Sequence, residues 1–412
     1  MTGLSRRGNL RRWLGAALGA LLVCAAPAAA QTRYAPEPVV VLVVPDSSGG
    51  EQPPRLHSLT RHPSGRIYLT ASGVPAVVFT PGTSVGSYLR TTSGYGVFGG
   101  SLNWLGDTLA VGGFHTWQLL HADGTPLECR AFEQMHSEFA TQVFPRHALA
   151  GGLTLGELTP PYPDPRFTEN LVVSRGQTVI RTLHRRPSGP YYVDVPFPWG
   201  GGASSVVVPY TAGTLWTASD DGRHVVVVES QQPAGPDPHP VRVLRMDLEG
   251  RTAYDVRLLL PTRPVREDER ERQIAEWAAH MASGTIPRDT AAAARAFREK
   301  IQFPAYHPAV TEVQVARDAA AWLRLADEDG AVWLRLGAEG AEQLRLQVDA
   351  SFQAAYADAD ALWGALRGAD GSLGVVAYPL PGRPPIFPAG FAGFARPTVQ
   401  PSFPTTIIRG EC

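Results

Sequence analysis

The chain has 412 residues, of which 44% are hydrophobic and 18% are charged, so it is long enough for a sizeable core and too apolar for a disordered protein. Its 42 glycines and 37 prolines exclude a coiled coil and favour many short strands joined by turns. The net charge of −1 supplies no global basic field, so no nucleic-acid partner is expected.

Residues 1–30 have the three parts of a secretory signal peptide. Four arginines between positions 6 and 12 form a basic segment, residues 14–26 are apolar, and an A-A-A triplet at 28–30 precedes Gln31. A small-residue triplet after a short apolar segment is the typical cleavage signal. We therefore predict cleavage after Ala30 and a periplasmic or secreted protein.

Three other interpretations of this segment remain open. The apolar run could be an uncleaved anchor, although a membrane span needs about 20 residues. The S-R-R sequence at 5–7 could begin a twin-arginine signal, although Asn9 stands where an apolar residue is usual. Cys24 could be the acylated residue of a lipoprotein, although Val23 is a poor fit to the small residue expected before it.

Cleavage would leave two cysteines, Cys129 and Cys412. An exported protein can form a disulfide, and the sequence leaves open whether these two pair or whether Cys412 keeps a free thiol. No run of 18 apolar residues follows residue 30, so no integral membrane segment is expected in the mature protein.

One unit, built around an apolar anchor strand, recurs between residues 37 and 380. The six anchors lie at 65–69, 107–111, 151–155, 213–217, 320–323 and 360–363. We assign each anchor to the second strand of its unit. Asp-Gly pairs such as Asp123-Gly124 and Asp221-Gly222 supply the positive φ that tight turns require. Where the series is regular, the anchors recur about every 40 residues, the length of a four-stranded propeller blade.

A closed ring of such units is the architecture that best fits the repeat. One small sheet cannot bury both of its faces, whereas a ring of sheets can. A β-sandwich would not repeat its pattern six times, and a solenoid would have shorter repeats. The chain is therefore predicted to be all-β, a six-bladed β-propeller. Its repeat resembles the six-bladed NHL and TolB-like propellers of exported bacterial proteins, and that resemblance implies a fold without an activity.

The last unit has one strand fewer than the others. Its strands are predicted near 352–356, 362–366 and 375–378, while the apolar run 39–44 has no partner in the neighbouring sequence. We expect residues 39–44 to complete the last blade and close the ring.

The segment 264–303 interrupts the repeat with a helical pattern. Ile274, Trp277, Ala278 and Met281 follow the i, i+3, i+4, i+7 spacing of an amphipathic helix, and Asp289 stands where it would cap a second helix. We predict an inserted helical hairpin, which either packs on the rim or covers one mouth of the channel.

The proline-rich and phenylalanine-rich segment 381–412 is predicted to be an irregular tail. At that density of proline no regular structure is expected. The tail is either disordered or extended along the propeller. The sequence alone does not decide between these two states.

Three histidines, His57, His136 and His307, fall in different units near the expected channel mouths. One histidine from each of three blades could hold zinc with an open position, so a propeller hydrolase or lyase with a channel metal is the alternative function. No short histidine pair or companion acid supports that set, and no cofactor is expected. The G-x-S-x-G match at 82–86 lacks the strand-to-helix context of a nucleophile elbow.

Aromatic residues in predicted inter-blade loops favour recognition. Tyr95, Phe98 and Trp104 lie in or near one loop, and Phe197 and Trp199 lie in another. Both loops are expected to open on the same face, and rigid aromatic rings suit recognition surfaces. We therefore predict a monomeric, non-catalytic binding or scaffold module for a protein, peptide or glycan partner.

Overall fold

The computed structural model describes residues 33–44, 55–72, 74–80, 87–89, 100–113, 116–131, 142–159, 170–185, 192–282, 289–326, 331–368 and 372–383. Several features predicted from the sequence lie outside these residues. They are the signal peptide, the G-x-S-x-G match, Tyr95, Phe98, His136 and the tail after residue 383.

Twenty-six strands, two α-helices and one short 3-10 helix (Ala150–Gly152) are formed by the described residues. In chain order, they are β1 (Val39–Val44), β2 (Leu56–Arg61), β3 (Ile67–Ala71), β4 (Val74–Phe79), β5 (Ser87–Tyr88), β6 (Ser101–Leu105), β7 (Thr108–Gly112), β8 (Thr116–His121), β9 (Pro126–Ala131), β10 (Gln142–Leu149), β11 (Leu153–Thr159), β12 (Asn170–Arg175), β13 (Thr178–Arg185), β14 (Tyr192–Pro196), β15 (Ala203–Val207), β16 (Thr214–Ala218), β17 (Val225–Ser230), β18 (His239–Met246), β19 (Thr252–Leu260), α1 (Glu267–Ala282), α2 (Thr290–Lys300), β20 (Val310–Val315), β21 (Ala321–Leu325), β22 (Ala331–Leu336), β23 (Glu342–Val348), β24 (Gln353–Ala357), β25 (Ala361–Arg367) and β26 (Leu373–Pro379).

Six antiparallel four-stranded sheets form the blades. Blades 1 to 5 are consecutive in sequence, namely β2–β5, β6–β9, β10–β13, β16–β19 and β20–β23. Blade 6 has the order β24-β25-β26-β1, so its outermost strand comes from the N-terminal side of the chain. The inner strand of each blade is the first one of its sheet, and the inner strands of neighbouring blades contact each other around the channel, except that blades 3 and 4 are joined through their shared core.

Neighbouring blades share apolar cores, and these close the sheets into a ring. Leu59 of blade 1 packs in one cluster with Trp363 of blade 6, and Tyr68 of blade 1 packs with Trp104 of blade 2. Equivalent clusters join blades 2 and 3, 3 and 4, 4 and 5, and 5 and 6. Each sheet thus buries its faces against its neighbours, and the fold is the predicted six-bladed β-propeller.

The predicted closing strand is present. β1 pairs antiparallel with β26 from Val39 opposite Ala377 to Val44 opposite Leu373. Leu42 is fully buried in the core shared by blades 6 and 1. The two ends of the propeller sequence are therefore joined within one blade.

The anchor strands are the second strands of five blades, as predicted, but not of blade 4. There the predicted anchor at 213–217 corresponds to β16, the innermost strand, and Val225–Val228 form the second strand. The repeated pattern of short apolar strands does not encode which strand lies innermost. The prediction was therefore shifted by one strand in this blade.

A second departure from the repeat lies between blades 3 and 4, where β14 and β15 form a separate two-stranded hairpin. Val195 and Val206 on one face of the hairpin pack against Ile274 of α1 and Phe297 of α2. We call β14–β15 together with α1–α2 the cap. The helical hairpin predicted from the sequence is confirmed, and its partner hairpin was not predicted.

The local signals for the second helix are also confirmed. The Asp289 carboxylate accepts hydrogen bonds from the backbone N–H groups of Ala291 and Ala292 and so caps α2. In α1, the predicted residues Ile274, Ala278 and Met281 are buried. Of the helices described, none is long and apolar enough to cross a membrane.

Candidate functional site

The two ends of the channel differ in the side chains that they bring together. One end is formed by residues at the starts of the inner strands, and the other by residues that follow them. A cleft of about 600 Å³ lies at the starts of β16 and β20, between these strands and the cap. We call it the cap cleft. Residues of the helical insert form one wall of this cleft, and the insert also packs on the β14–β15 hairpin.

The cap cleft has an apolar floor and a charged rim. The strands contribute Leu215, Val310 and Leu325. The charged side chains of the lining are four arginines and two glutamates, namely Arg263, Arg266, Arg272, Arg324, Glu269 and Glu312. The rim is therefore richer in guanidinium groups than in carboxylates.

A buried ion-pair network fastens the first turn of α1 to the propeller. Arg263 donates to both carboxylate oxygens of Glu269, at 3.1 and 2.6 Å. His307 lies 2.7 Å from Arg263 Nη2 and 3.1 Å from Glu269 Oε2, both measured to its Nε2. All three side chains are largely shielded from water, so the network is a fixed wall of the cleft.

The network holds its acid ionised and its base neutral. Burial alone would raise the pKa of Glu269, but hydrogen bonds from Arg263 and from the Arg266 backbone outweigh it and lower that pKa to about 2. Burial lowers the pKa of His307, and the charge of Arg263 lowers it further, against the opposing influence of Glu269. At neutral pH the network therefore consists of a guanidinium, a carboxylate and an uncharged imidazole.

The opposite wall of the cleft belongs to blade 5. Arg324 of β21 donates to Glu312 on the adjacent β20 and, at 3.0 Å, to the carbonyl of Ala350. Antiparallel pairing places the end of β21 beside the start of β20, which brings the two side chains together. Glu312, the second glutamate of the rim, is thus already paired with Arg324.

The other end of the channel is closed by a buried polar network. Asp220, in the turn after β16, accepts two hydrogen bonds from Arg317 at 2.6 and 2.8 Å. It also accepts one from Thr60 of blade 1, whose hydroxyl accepts the Trp104 indole N–H of blade 2 at 2.8 Å. Blades 1 and 4 stand on opposite sides of the ring, so these contacts span the channel.

Burial is the largest influence on the pKa of Asp220, the acid of this closing network. It raises the pKa of Asp220 above its ordinary value, and the hydrogen bonds from Arg317 oppose that rise. Asp358, at the corresponding end of blade 6, forms the turn predicted before the last anchor strand. It accepts from the backbone N–H groups of Asp360 and Ala361. These acids hold the ends of inner strands together.

The structure describes three of the five aromatic residues predicted for recognition. Trp104 lies within β6 and is 3% exposed, because it packs against Tyr68 in the core shared by blades 1 and 2; it is therefore not part of an exposed surface. Phe197 and Trp199 stack at 5.6 Å in the turn of the β14–β15 hairpin and pack on α1 and α2. They therefore belong to the cap, and their role in recognition stays a prediction.

The described residues do not assemble the alternative histidine site. His57 is exposed on β2, whereas His307 is bound to Arg263 and Glu269 beside the cap. Within the part of the chain that the structure describes, no group of three or more His, Cys, Asp or Glu side chains could hold a metal ion.

The charged residues of the cap cleft were not predicted from the sequence. Their one local signal is the run R-P-V-R-E-D-E-R-E-R at 263–272, which carries alternating charges directly before and into α1. Its acids lie in the first turn of α1, where they favour the helix dipole, and that local role does not by itself indicate a cleft. Its relation to His307 and Arg324 depends on the tertiary structure.

Comparison with known proteins adds little beyond the architecture. Neither a family model nor a curated protein matches this chain. Similar solved structures include the AfRom2 CNH domain, with 8% identity over 84% of this chain and 99% of that one and a TM-score of 0.36. A subtype N11 neuraminidase-like protein of A/flat-faced bat/Peru/033/2010 (H18N11) has 10% identity, coverages of 86% and 96% and a TM-score of 0.37.

The Neurospora crassa Pan2 WD40 domain is similar to the same extent, with 8% identity over 85% of this chain and 95% of that one and a TM-score of 0.34. Likenesses at these levels carry no inference about activity or partners. The six-bladed ring is established by the strand pairing of this chain itself.

Proposed function

We propose that this protein is an exported, monomeric propeller of the NHL and TolB-like kind that binds, without catalysis, a short acidic segment of a partner protein in the cap cleft. The observation that carries the proposal is the cleft itself. Its volume of about 600 Å³ falls within the usual range of ligand sites, and its walls are fixed by the Arg263–Glu269–His307 network.

The lining favours a peptide over a glycan. Leu215, Val310 and Leu325 offer apolar contact, and the arginines of the rim offer the bidentate geometry that carboxylates prefer. Glycan sites commonly use an open aromatic ring. The aromatic ring in the described lining is that of Tyr210, which already packs at 4.5 Å against His307.

The charge state of the cleft favours binding over catalysis. A general acid or base works best when its pKa lies near the operating pH. Glu269 has a pKa of about 2 because Arg263 and the Arg266 backbone N–H stabilise its carboxylate, so it is poorly matched to proton transfer at neutral pH. The same fixed charges suit a preorganised binding site.

A binding experiment with defined probes tests this function. We expect a fluorescent hexaglutamate peptide to bind the mature protein at low ionic strength, and a hexaglutamine peptide to bind far more weakly. Thr311→Trp would place an indole in the cleft, since Thr311 lines it and is exposed, and should abolish binding. Thr252→Trp, at an exposed position of β19, is the matched control.

Two outcomes contradict the proposal. Equal binding of hexaglutamate to both tryptophan variants would place its site elsewhere. Binding of an acidic glycan such as oligogalacturonate, with no binding of the peptide, would replace the proposed partner class.

Export is tested separately by the mass of the secreted form. We expect a mature chain that begins at Gln31. A chain that retains residues 1–30, or one with a lipid on Cys24, would overturn cleavage after Ala30.

A further inference from the structure

Asp268 bridges the two most exposed arginines of the cap cleft. One of its carboxylate oxygens lies 3.2 Å from Arg266 Nε, and the other lies 3.3 Å from Arg272 Nη2. Both arginines line the cleft, whereas Asp268 is not part of the lining. One carboxylate of the chain itself therefore occupies the position between two guanidinium groups at the rim of a cavity.

These contacts are weakly held. The side chains of Arg266, Asp268 and Arg272 are 56%, 59% and 59% exposed, in contrast to the buried Arg263–Glu269 pair. Exposed ion pairs contribute little, because water and salt screen them and ordering long side chains costs entropy. A second carboxylate can therefore displace Asp268 without disturbing the fold.

Nearby acids do not replace Asp268 as a partner of Arg266. Glu269 Oε2 is 3.9 Å from Arg266 Nε, and both oxygens of that carboxylate are already engaged by Arg263. Glu267 pairs with Arg270, at 3.3 Å. If Asp268 lost its charge, the guanidinium group of Arg266 would be hydrated at the mouth of the cleft, with Glu269 at 3.9 Å as its remaining ion-pair partner among the described residues.

We propose that Asp268 is a built-in competitor of the ligand: a carboxylate of the bound peptide takes its place between Arg266 and Arg272. This inference rests on the proposed function, since it specifies how the same cleft recognises its ligand. It assigns Arg266 and Arg272 as the residues that select for an acidic side chain. It also predicts that removal of the Asp268 charge strengthens binding of the acidic peptide.

Substitutions at the bridge test the inference with the hexaglutamate probe. Asp268→Asn should tighten the dissociation constant about threefold to fivefold at low ionic strength, the size of one exposed ion-pair competitor. Asp255→Asn, which removes the same charge from an exposed pair with Arg242 on the outer strands of blade 4, should change it much less. Salt should reduce the difference.

The arginines should respond in the opposite direction. Arg272→Gln should weaken binding of hexaglutamate several-fold, whereas Arg251→Gln, in an exposed pair with Asp247, should not. Helical circular dichroism checks that α1 is retained, since Asp268 lies in its first turn.

The outcomes separate this inference from the proposed function. If Asp268→Asn binds no more tightly than Asp255→Asn while Thr311→Trp still abolishes binding, the competitor role is wrong and the cleft remains the site. If neither the natural protein nor Asp268→Asn binds the probe, both proposals fail. Binding by Asp268→Asn alone would support both.

Discussion

The Asp220 carboxylate of blade 4 and the Thr60 hydroxyl of blade 1 are hydrogen-bonded across the channel. Arg317 of blade 5 completes the contact by binding both oxygens of the same carboxylate. The channel is thereby closed at the end opposite to the cap cleft.

Asp220→Asn should destabilise the propeller by about 3 kcal/mol, because it leaves the partly buried guanidinium of Arg317 without the counter-charge of a buried carboxylate. The free energy of unfolding in urea measures this loss. Asp255→Asn is the control, since that carboxylate lies in an exposed pair with Arg242. Equal stability of the two variants would mean that the closing network contributes little.

Because β1 closes the ring, we expect substitutions at two of its positions, Leu42 and Val40, to lower the stability of the fold by very different amounts. Leu42→Ala should cost about 2–5 kcal/mol, because Leu42 is 0% exposed and a cavity would remain between blades 6 and 1. Val40→Ala, at a position that is 46% exposed, should cost less than about 1 kcal/mol. Similar melting temperatures for both variants would contradict a core role for this strand.

The propeller was predictable because its signals are local. Short apolar strands define each blade, Asp-Gly pairs recur in four of the six, and Gly124 and Gly222 do adopt the positive φ that those turns require. The missing strand of blade 6 identified β1 by elimination. The innermost position of β16 was not predictable from local signals, because it depends on how the blades meet around the channel.

The cap cleft could not be predicted in the same way. Arg263 and His307 come from the two sides of the helical insert, and Arg324 comes from a strand of blade 5. His307 was singled out as a candidate metal ligand because its residue type permits that chemistry. Its neighbours in the fold are a guanidinium and a carboxylate, which give it a structural role instead.

The cysteines give a third prediction. Cys129 on β9 is disulfide-bonded, and its partner lies outside the described residues. The other cysteines of the chain are Cys24 and Cys412, so cleavage after Ala30 would leave Cys412 as the available partner. If the chain is exported and cleaved after Ala30, a non-reducing peptide map should contain a Cys129–Cys412 peptide, and a free Cys412 thiol would contradict the pairing.

The last prediction concerns acid and the network that fastens the cap. His307 Nε2 faces the Arg263 guanidinium at 2.7 Å, so the neutral ring accepts that hydrogen bond and protonation would remove the acceptor. Burial lowers the pKa of His307 below 6.5. The unfolded chain therefore binds this proton more readily, and stability falls as pH drops below about 6.5.

Glu269 causes a second loss of stability as the pH falls. Its pKa is about 2 in the fold against an ordinary value of 4.5, so its contribution is complete above about pH 4.5 and declines as pH falls toward 2. Hydrogen exchange of the α1 backbone, corrected for intrinsic rates, should therefore accelerate in two stages on acidification. His307→Gln should remove the first stage, because its amide oxygen can accept from Arg263 at any pH; a first stage that persists in this variant would assign it to another group.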